Sequence, residues 1–549
     1  MSSSLFVNII DLDSDEKYVT CSLRTAIVLF LCQYVNSPVI LVRIKSTVEE
    51  FPIIKFLLNN LSYTTIFEDN LPKPAADCLL PVYQSNNDPY CTAGFCSSLR
   101  MLIKSLGEKF QWLLGFRQSC LSACAEVSSW TKFCEVEIHA SITSLFQKNH
   151  IDSNSPYILP IQLARFERHL SQPLQVHNIN KRLNKNSQHF AVRFADEENP
   201  TLSDILILPN IHIVYKILGE SVFYKFLPLT WKWYKLILER LHITEALNNI
   251  IVEFYIQLPT EYLLPEVPPH SLYKCDLRRY NPHSKLYVKQ NVQNILQLYD
   301  SLNIDIKNNS YNLKKINWSE LPNEACPIGG DIPEKRLIRK TQQLENLIQA
   351  VFQVAKDGDV VVDFCCGSGH LGIAIAHLKP SLTVILVDNK EESLRRAKDR
   401  VEKLKLKNIM VVHSNLDYFN ADFQVGVCLH GCGVATDLVL EKCILQNAAF
   451  VVCPCCYGSI QDNHILEYPR SQVLRTNLTF EDYLVLCHCA DQTHFDPKCS
   501  KTLQGFSCMA AVDEDRATRA IESGYNVTLS KLIPPTCTPK NNILVGIPL

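Results

Sequence analysis

The residues richest in chemistry lie between 359 and 458, where acids, glycines, a histidine and cysteines follow apolar runs. The first run is Asp359-Val-Val-Val-Asp363-Phe-Cys365-Cys-Gly367-Ser-Gly369-His-Leu-Gly372. An apolar strand that ends in an acid and feeds a glycine turn, with a helix from Leu371 to Leu378, lets the backbone approach a ligand closely. A pyrophosphate-binding turn offers helix amides to an anion, and Asp363 would repel that anion. The acid suits instead a cationic, phosphate-free nucleoside. S-adenosylmethionine, with its sulfonium and amino group, is the cofactor of that kind. A second run, Thr383-Val-Ile-Leu-Val-Asp388-Asn389, puts a carboxylate at the next strand tip, where it can accept ribose hydroxyls. A third, Ile409 to Asn415, places Asn415 and Asp417 where an adenine amino group finds partners. The expected cofactor contacts are Asp363, Cys365, Gly367, Gly369, Asp388, Asn415 and Asp417.

Two more runs should reach the same edge. A fourth strand, Gln424 to Leu429, leads into His430-Gly-Cys432-Gly-Val-Ala-Thr436-Asp437, and a helix from Leu438 is expected to be capped by Thr436 or Asp437. A fifth, Ala448 to Val452, meets Cys453-Pro-Cys455-Cys456-Tyr457-Gly458. A histidine there can take the proton of an attacking hydroxyl or amine, as methyl transfer to oxygen or nitrogen requires. A loop histidine satisfied by backbone is the plain alternative. His430, Asp437, Cys455, Cys456 and Tyr457 are the expected acceptor-side residues. The cysteines are too crowded for a simple zinc knuckle, although Cys428, Cys432, Cys487 and Cys489 lie in the same region. Pocket lining is the preferred reading, with no metal among the expected site groups and a zinc site completed by those cysteines as the alternative. Lys540 and Asn541 read as a solvated turn before a last, antiparallel strand.

The elements that must position these residues begin near Arg339, from where strands and helices alternate as in a parallel-sheet enzyme. A chain of 549 residues holds several domains. Residues 1–90 read as strand, helix, strand. Residues 91–255 read as an all-α block, with helices at 98–106, 112–136, 202–218 and 229–241, and 256–335 as a proline-rich connector with the polar run Lys307 to Asn312. Lys plus Arg is 54 against 56 for Asp plus Glu, so any nucleic-acid binding must come from a local patch. One candidate is 270–340, with twelve basic residues against seven acidic. A content of 47% hydrophobic and 20% charged residues excludes a mainly disordered chain. The N-terminus turns acidic before a hydrophobic run forms, and the longest apolar stretch, Ala26 to Cys32, is far shorter than a membrane span. A cytoplasmic protein without membrane contact, its 23 cysteines mostly free thiols, is expected.

Val361-Val-Asp-Phe-Cys-Cys-Gly-Ser-Gly-His370, His430 to Asp437, Cys455-Cys-Tyr-Gly458, Ala490-Asp-Gln-Thr-His494 and Thr538-Pro-Lys-Asn-Asn-Ile543 together resemble the glutathione S-transferase C-terminal domain-containing proteins. The methyltransferase half of that family is similar to enzymes that methylate a ribose hydroxyl in the tRNA acceptor stem. Their Cys-Cys-His-His stands here as Cys455-Cys456-Tyr457-Gly458, and the Lys-Asp-Lys-Glu tetrad of many ribose methyltransferases is not recognisable. The resemblance implies an α/β Rossmann-like class I methyltransferase domain at 336–549. Before it would come an all-α glutathione-transferase-C-like domain at 91–255, with Thr201 and Asp204 as its capping box, and a small degenerate thioredoxin-like α/β segment at 1–90. Methylation of RNA (tRNA-like ribose or base), with the N-terminal module contacting protein, is the implied function. A catalytically inactive scaffold is the alternative. So is a glutathione-conjugating enzyme using Cys21 or Ser22, for which no cis-proline or Glu-Ser/Asp-Ser pair is recognisable.

Overall fold

Val- and Ile-rich runs buried on both faces make parallel strands, because such strands must be covered by helices on either side. The computed structural model describes residues 3–44, 52–85, 90–147, 156–172, 194–252, 261–269, 272–273, 289–308, 315–330, 332–493 and 498–549. The chain divides into two units, Met1–Cys275 and Asp276–Leu549.

In the second unit, β1 (Val360–Phe364), β2 (Thr383–Asp388), β3 (Ile409–Ser414), β4 (Val425–Cys432) and β5 (Ala449–Cys455) are parallel. They are followed by β6 (Tyr525–Lys531) and β7 (Asn542–Pro548). The spatial order is β3-β2-β1-β4-β5-β7-β6, with β7 antiparallel to both neighbours, so the expected antiparallel hairpin is present. This is the class I methyltransferase arrangement. The order reverses between β1 and β4, and a ligand crevice opens at the carboxyl ends of strands at such a point. The helices are α1 (Glu334–Val354), α2 (His370–Leu378), α3 (Glu391–Leu404), α4 (Val434–Leu445), α5 (Phe480–Cys489) and α6 (Ser500–Glu522). Helix α2 is buried along its length from His370 to Ala376, and at Gly372 an added Cβ would overlap Leu386 of β2. That glycine lets α2 lie directly on the sheet.

In the first unit, strands Ser3–Ile9, Val39–Arg43 and Tyr63–Phe67 are parallel, with helix Leu23–Val35 between the first two. Strands Val82–Ser85 and Tyr90–Ala93 join antiparallel, and Leu80–Pro81 is cis, contrary to expectation. The expected strand, helix, strand is there, but more strands accompany it, among them Ile53–Leu57 in a second small sheet. A boundary at 90 falls at the start of a strand. Helices Phe95–Ser105, Leu202–Leu218 and Pro228–Leu241 lie where the spacing predicts them. Residues 112–136 do not form one helix: Arg117, Gln118 and Leu121 adopt left-handed backbone and break it. Asp204 accepts the Thr201 N–H (2.8 Å) and Trp233 Nε1–H (2.8 Å), closing the expected capping box and tying it to helix Pro228–Leu241. Inside the expected connector stands helix Lys289–Ser301, while residues 309–312 of its polar run, and His494 further on, lie outside the described residues. Among the described residues no single helix is long and apolar enough to cross a membrane; the bent pair Leu202–Leu218 and Glu220–Phe226 passes by length and composition, and the first of the two is almost wholly buried.

Candidate functional site

Strand β1 delivers Asp363 into the crevice edge, where it is 1% exposed. Its Oδ2 accepts the Gly372 N–H at the start of α2 (2.8 Å). Burial raises this carboxyl to about 7, opposed by that hydrogen bond and by Lys340, while the charge of Asp388 adds to the rise. Gly367 and Gly369 are left-handed, as is Cys365, and a Cβ on Gly367 would meet open space. The Gly367 N–H donates to Asp388 Oδ2 (2.8 Å) and the Lys390 N–H to Oδ1 (2.8 Å). The loop amide is thus committed to a carboxylate rather than to a phosphate. Each Asp388 oxygen keeps acceptor capacity for a ribose hydroxyl. Asn415, buried, follows β3, and Asp417 sits half-buried in the turn Leu416–Tyr418. The predicted cofactor residues therefore gather at the tips of three adjacent strands. They fit S-adenosylmethionine: a buried acid poised to ionise beside a cation, and a carboxylate with spare acceptors for the ribose.

On the other side of β1, His430 stands at an irregularity in which the register between β4 and β5 shifts between Leu429 and Cys432. Its Nε2 lies 2.9 Å from Gln343 Oε1, and Gln343 Nε2 donates to the Cys537 carbonyl (3.1 Å). With the amide so oriented, His430 carries its proton on Nε2 and leaves Nδ1 as the basic atom. Burial, then the Lys340 charge, holds the imidazole down to about 4. Burial likewise lowers Lys340 to about 8, with Asp363 resisting. A cavity of about 430 Å³ opens here, lined among others by Arg336, Arg339, Lys340, Gln343, Ser368 and His430, with no carboxylate among the described residues of its wall; Asp331, next to the lining Gly330 and Ile332, lies outside the described residues. Cys455 is buried at the end of β5, and Cys432 and Cys456 reach solvent beside it. The neighbouring thiols hold Cys432 below, and push Cys455 above, the ordinary thiol range.

Expectations for three residues are overturned. Asp437 does not face an acceptor: it is fully buried, gripped by Arg516 through Nε (2.8 Å) and Nη2 (3.0 Å), and it accepts the Tyr468 hydroxyl (2.9 Å). Nor does it cap α4, which begins at Val434 after Gly433. Tyr457 is fully buried and donates to Asp513 (2.6 Å), which in turn binds Arg516. Lys540 is no solvated turn residue but is buried, paired with Asp491 (2.8 Å) and the Ala490 carbonyl. Sequence reading missed Gln343 and Lys340, whose signal was the helical spacing of Arg336, Arg339, Lys340 and Gln343 just before β1. In the first unit, Cys21 is fully buried and its thiol is pushed far up by burial. Ser22 is spent as the helix cap, accepting the Thr25 N–H (3.3 Å). The cavity beside it measures about 20 Å³, space for a water rather than a tripeptide.

A family model described as a methyltransferase domain matches residues 339–463, the span holding the glycine loop, all three acidic or amide strand tips and His430. A glutathione S-transferase C-terminal domain-containing protein homolog of Drosophila melanogaster is 36% identical, over 86% of this chain and 85% of its own. The Homo sapiens glutathione S-transferase C-terminal domain-containing protein is 31% identical over 96% of each chain. The chain belongs to the glutathione S-transferase C-terminal domain-containing protein family. Among solved structures, the tRNA (uracil-54, C5)-methyltransferase of Pyrococcus abyssi with S-adenosylhomocysteine covers 37% of each chain at 14% identity and a TM-score of 0.22. By its matched domain the chain is a methyltransferase, and S-adenosylmethionine is its cofactor.

Proposed function

We propose that the enzyme methylates RNA, with Asp363, Cys365, Gly367, Gly369, Asp388, Asn415 and Asp417 around the cofactor and His430 beside the acceptor. The observation that carries the substrate class is the cavity wall: Arg336, Arg339 and Lys340 share it with His430, and no acid lines it among the described residues, which favours an anionic acceptor. The cofactor, when bound, supplies a methyl group on a cationic sulfur. His430 Nδ1 takes the acceptor proton, Gln343 holds the tautomer that makes Nδ1 available, and the basic wall draws the phosphodiester backbone in. Cys455 and Cys456 border the acceptor side.

For the first unit, we propose a worn glutathione-transferase-like module, thioredoxin-like at first and helical after, used to contact protein in the cytoplasm. Support comes from its strand–helix–strand followed by an antiparallel hairpin, and from the Thr201–Asp204 box opening a buried helix. The state of Cys21 and the small cavity at Ser22 weigh against glutathione conjugation. The test is incubation of the purified chain with methyl-labelled cofactor and separated RNA and protein pools. Label should enter RNA, and Asp388→Ala should abolish both labelling and cofactor binding by calorimetry. Label in protein alone would overturn the RNA assignment, and cofactor binding with no label in either pool would make the chain a scaffold.

A further inference from the structure

Three sulfurs converge at the tips of β4 and β5. Cys432 Sγ lies 3.5 Å from Cys455 Sγ and 3.3 Å from Cys456 Sγ, and all three sulfurs are within 4.8 Å of one another. A thiol is a weak hydrogen-bonding group, so mutual contact among three of them gains little. Hydrophobic burial does not explain the cluster either, since Cys432 and Cys456 reach solvent.

The backbone is built to hold them. After the irregularity at His430, Cys432 pairs directly with Cys455 across the two strands, and the Gly433 N–H bonds the Cys455 carbonyl (3.3 Å). His430 and Cys456 are both left-handed, with φ of 74° and 49°. Non-glycine residues hold such backbone only where the surroundings impose it, and they concentrate at ligand sites. Gly433 is left-handed too, and an added Cβ would come within 2.6 Å of the Ser459 backbone. Two of the sulfurs are thus carried by paired strand ends and the third by the residue that follows.

We propose that Cys432, Cys455 and Cys456 bind a zinc ion through three thiolates, leaving the fourth position open to solvent. Zinc–sulfur bonds of about 2.3 Å around a tetrahedral ion set ligand sulfurs about 3.8 Å apart, so the two edges from Cys432, at 3.5 and 3.3 Å, lengthen by only about 0.3–0.5 Å to admit the metal. A set of sulfur ligands selects a thiophilic ion over magnesium or calcium. The three thiols give up their protons to solvent as the metal binds. Three protein ligands with an open position is the pattern of zinc that holds a water or a substrate atom, whereas structural zinc is closed by four. Neither the cofactor assignment nor the RNA acceptor is needed for this site.

The test uses the full chain, reduced, freed of metal with a chelator and titrated anaerobically with cobalt(II). One equivalent should develop a thiolate-to-cobalt charge-transfer band and the intense visible bands of four-coordinate cobalt, and zinc should abolish them. Adding a small thiol such as 2-mercaptoethanol should shift the visible bands, because the open position takes it. Cys432→Ser and Cys456→Ser should each lose the bands with unchanged far-UV circular dichroism, while Cys499→Ser, outside the cluster, keeps them. Absence of the bands in the wild type, or their persistence in both cluster variants, would overturn the site. Bands indifferent to added thiol would overturn the open position. Should one variant fold poorly, the other still decides.

Discussion

With the cofactor placed as proposed, Asp363 links its binding to pH. Its folded carboxyl sits at about 7, above the unfolded value of 3.8, so the stability it contributes is present below 3.8 and is lost as pH rises through about 7. A cation placed beside it favours the ionised form. Cofactor binding should therefore expel a proton near pH 6.5, and affinity should climb as pH rises through 7 and then level. Calorimetry in buffers of different ionisation enthalpy reads this directly; proton uptake, or release that survives in Asp363→Asn, would refute the coupling. His430, held down to about 4, is already neutral and competent at pH 6, so the acid limb of kcat/KM should not lie near the ordinary histidine value of 6.5. His430→Ala should lower kcat by about 10²–10⁴. Gln343→Leu, which removes the oxygen that fixes the tautomer, should lower kcat while leaving cofactor affinity unchanged; an unaltered kcat removes Gln343 as a positioning residue. Asp437→Ala should instead cost about 3–5 kcal/mol of stability in urea unfolding, because it leaves Arg516 buried beside a lost partner. The acids and the histidine were readable in the sequence because each ends an apolar strand. Asp437 and Tyr457 were misread because local sequence does not reveal that a partner 79 positions away, Arg516, draws Asp437 inward, or that Asp513 does the same for Tyr457.

At the scale of elements, the strands of the second unit were legible as continuous apolar runs; the first three end within one residue of expectation, while β4 and β5 each run three residues further, to Cys432 and Cys455. The missed strands of the first unit lack that signal. Tyr63–Phe67 is mostly exposed and contains two threonines, and Ile53–Leu57 alternates between solvent and core. The segment 112–136 failed in the opposite sense: apolar spacing suggested a helix, but left-handed residues interrupt it. The glycine loop shows how an element enforces a site. Gly367 faces open space, as a ligand-approach residue should, whereas Gly372 is a packing residue, where an added Cβ would lie 2.3 Å from Leu386 and 3.1 Å from Asp363 Oδ2. Gly372→Ala should push α2 off β2 at a cost of about 1–3 kcal/mol and disturb the amide that anchors Asp363, weakening cofactor binding as well. Chemical denaturation and calorimetry on the same variant check both effects. A fully stable variant would mean that the helix has slack the packing does not show.

For the whole molecule the net charge is -2, so no long-range field steers a polyanion toward it. On the proposed RNA reading, binding must then be a property of one patch, the basic cavity wall shared with His430. Each phosphate contact displaces condensed counterions and steepens the dependence of affinity on salt, by a slope of about 0.7 per contact for a single strand. If Arg336 and Arg339 make such contacts, Arg336→Gln combined with Arg339→Gln should weaken RNA binding and reduce the slope of log K against log salt by roughly 1–2. Cofactor affinity should be untouched, since neither residue lies at the strand tips that hold it. Fluorescence anisotropy with a labelled RNA across a salt series separates the two cases: a shallower slope locates the backbone contacts at the cavity, and an identical slope with intact affinity places the RNA-binding surface elsewhere on the chain.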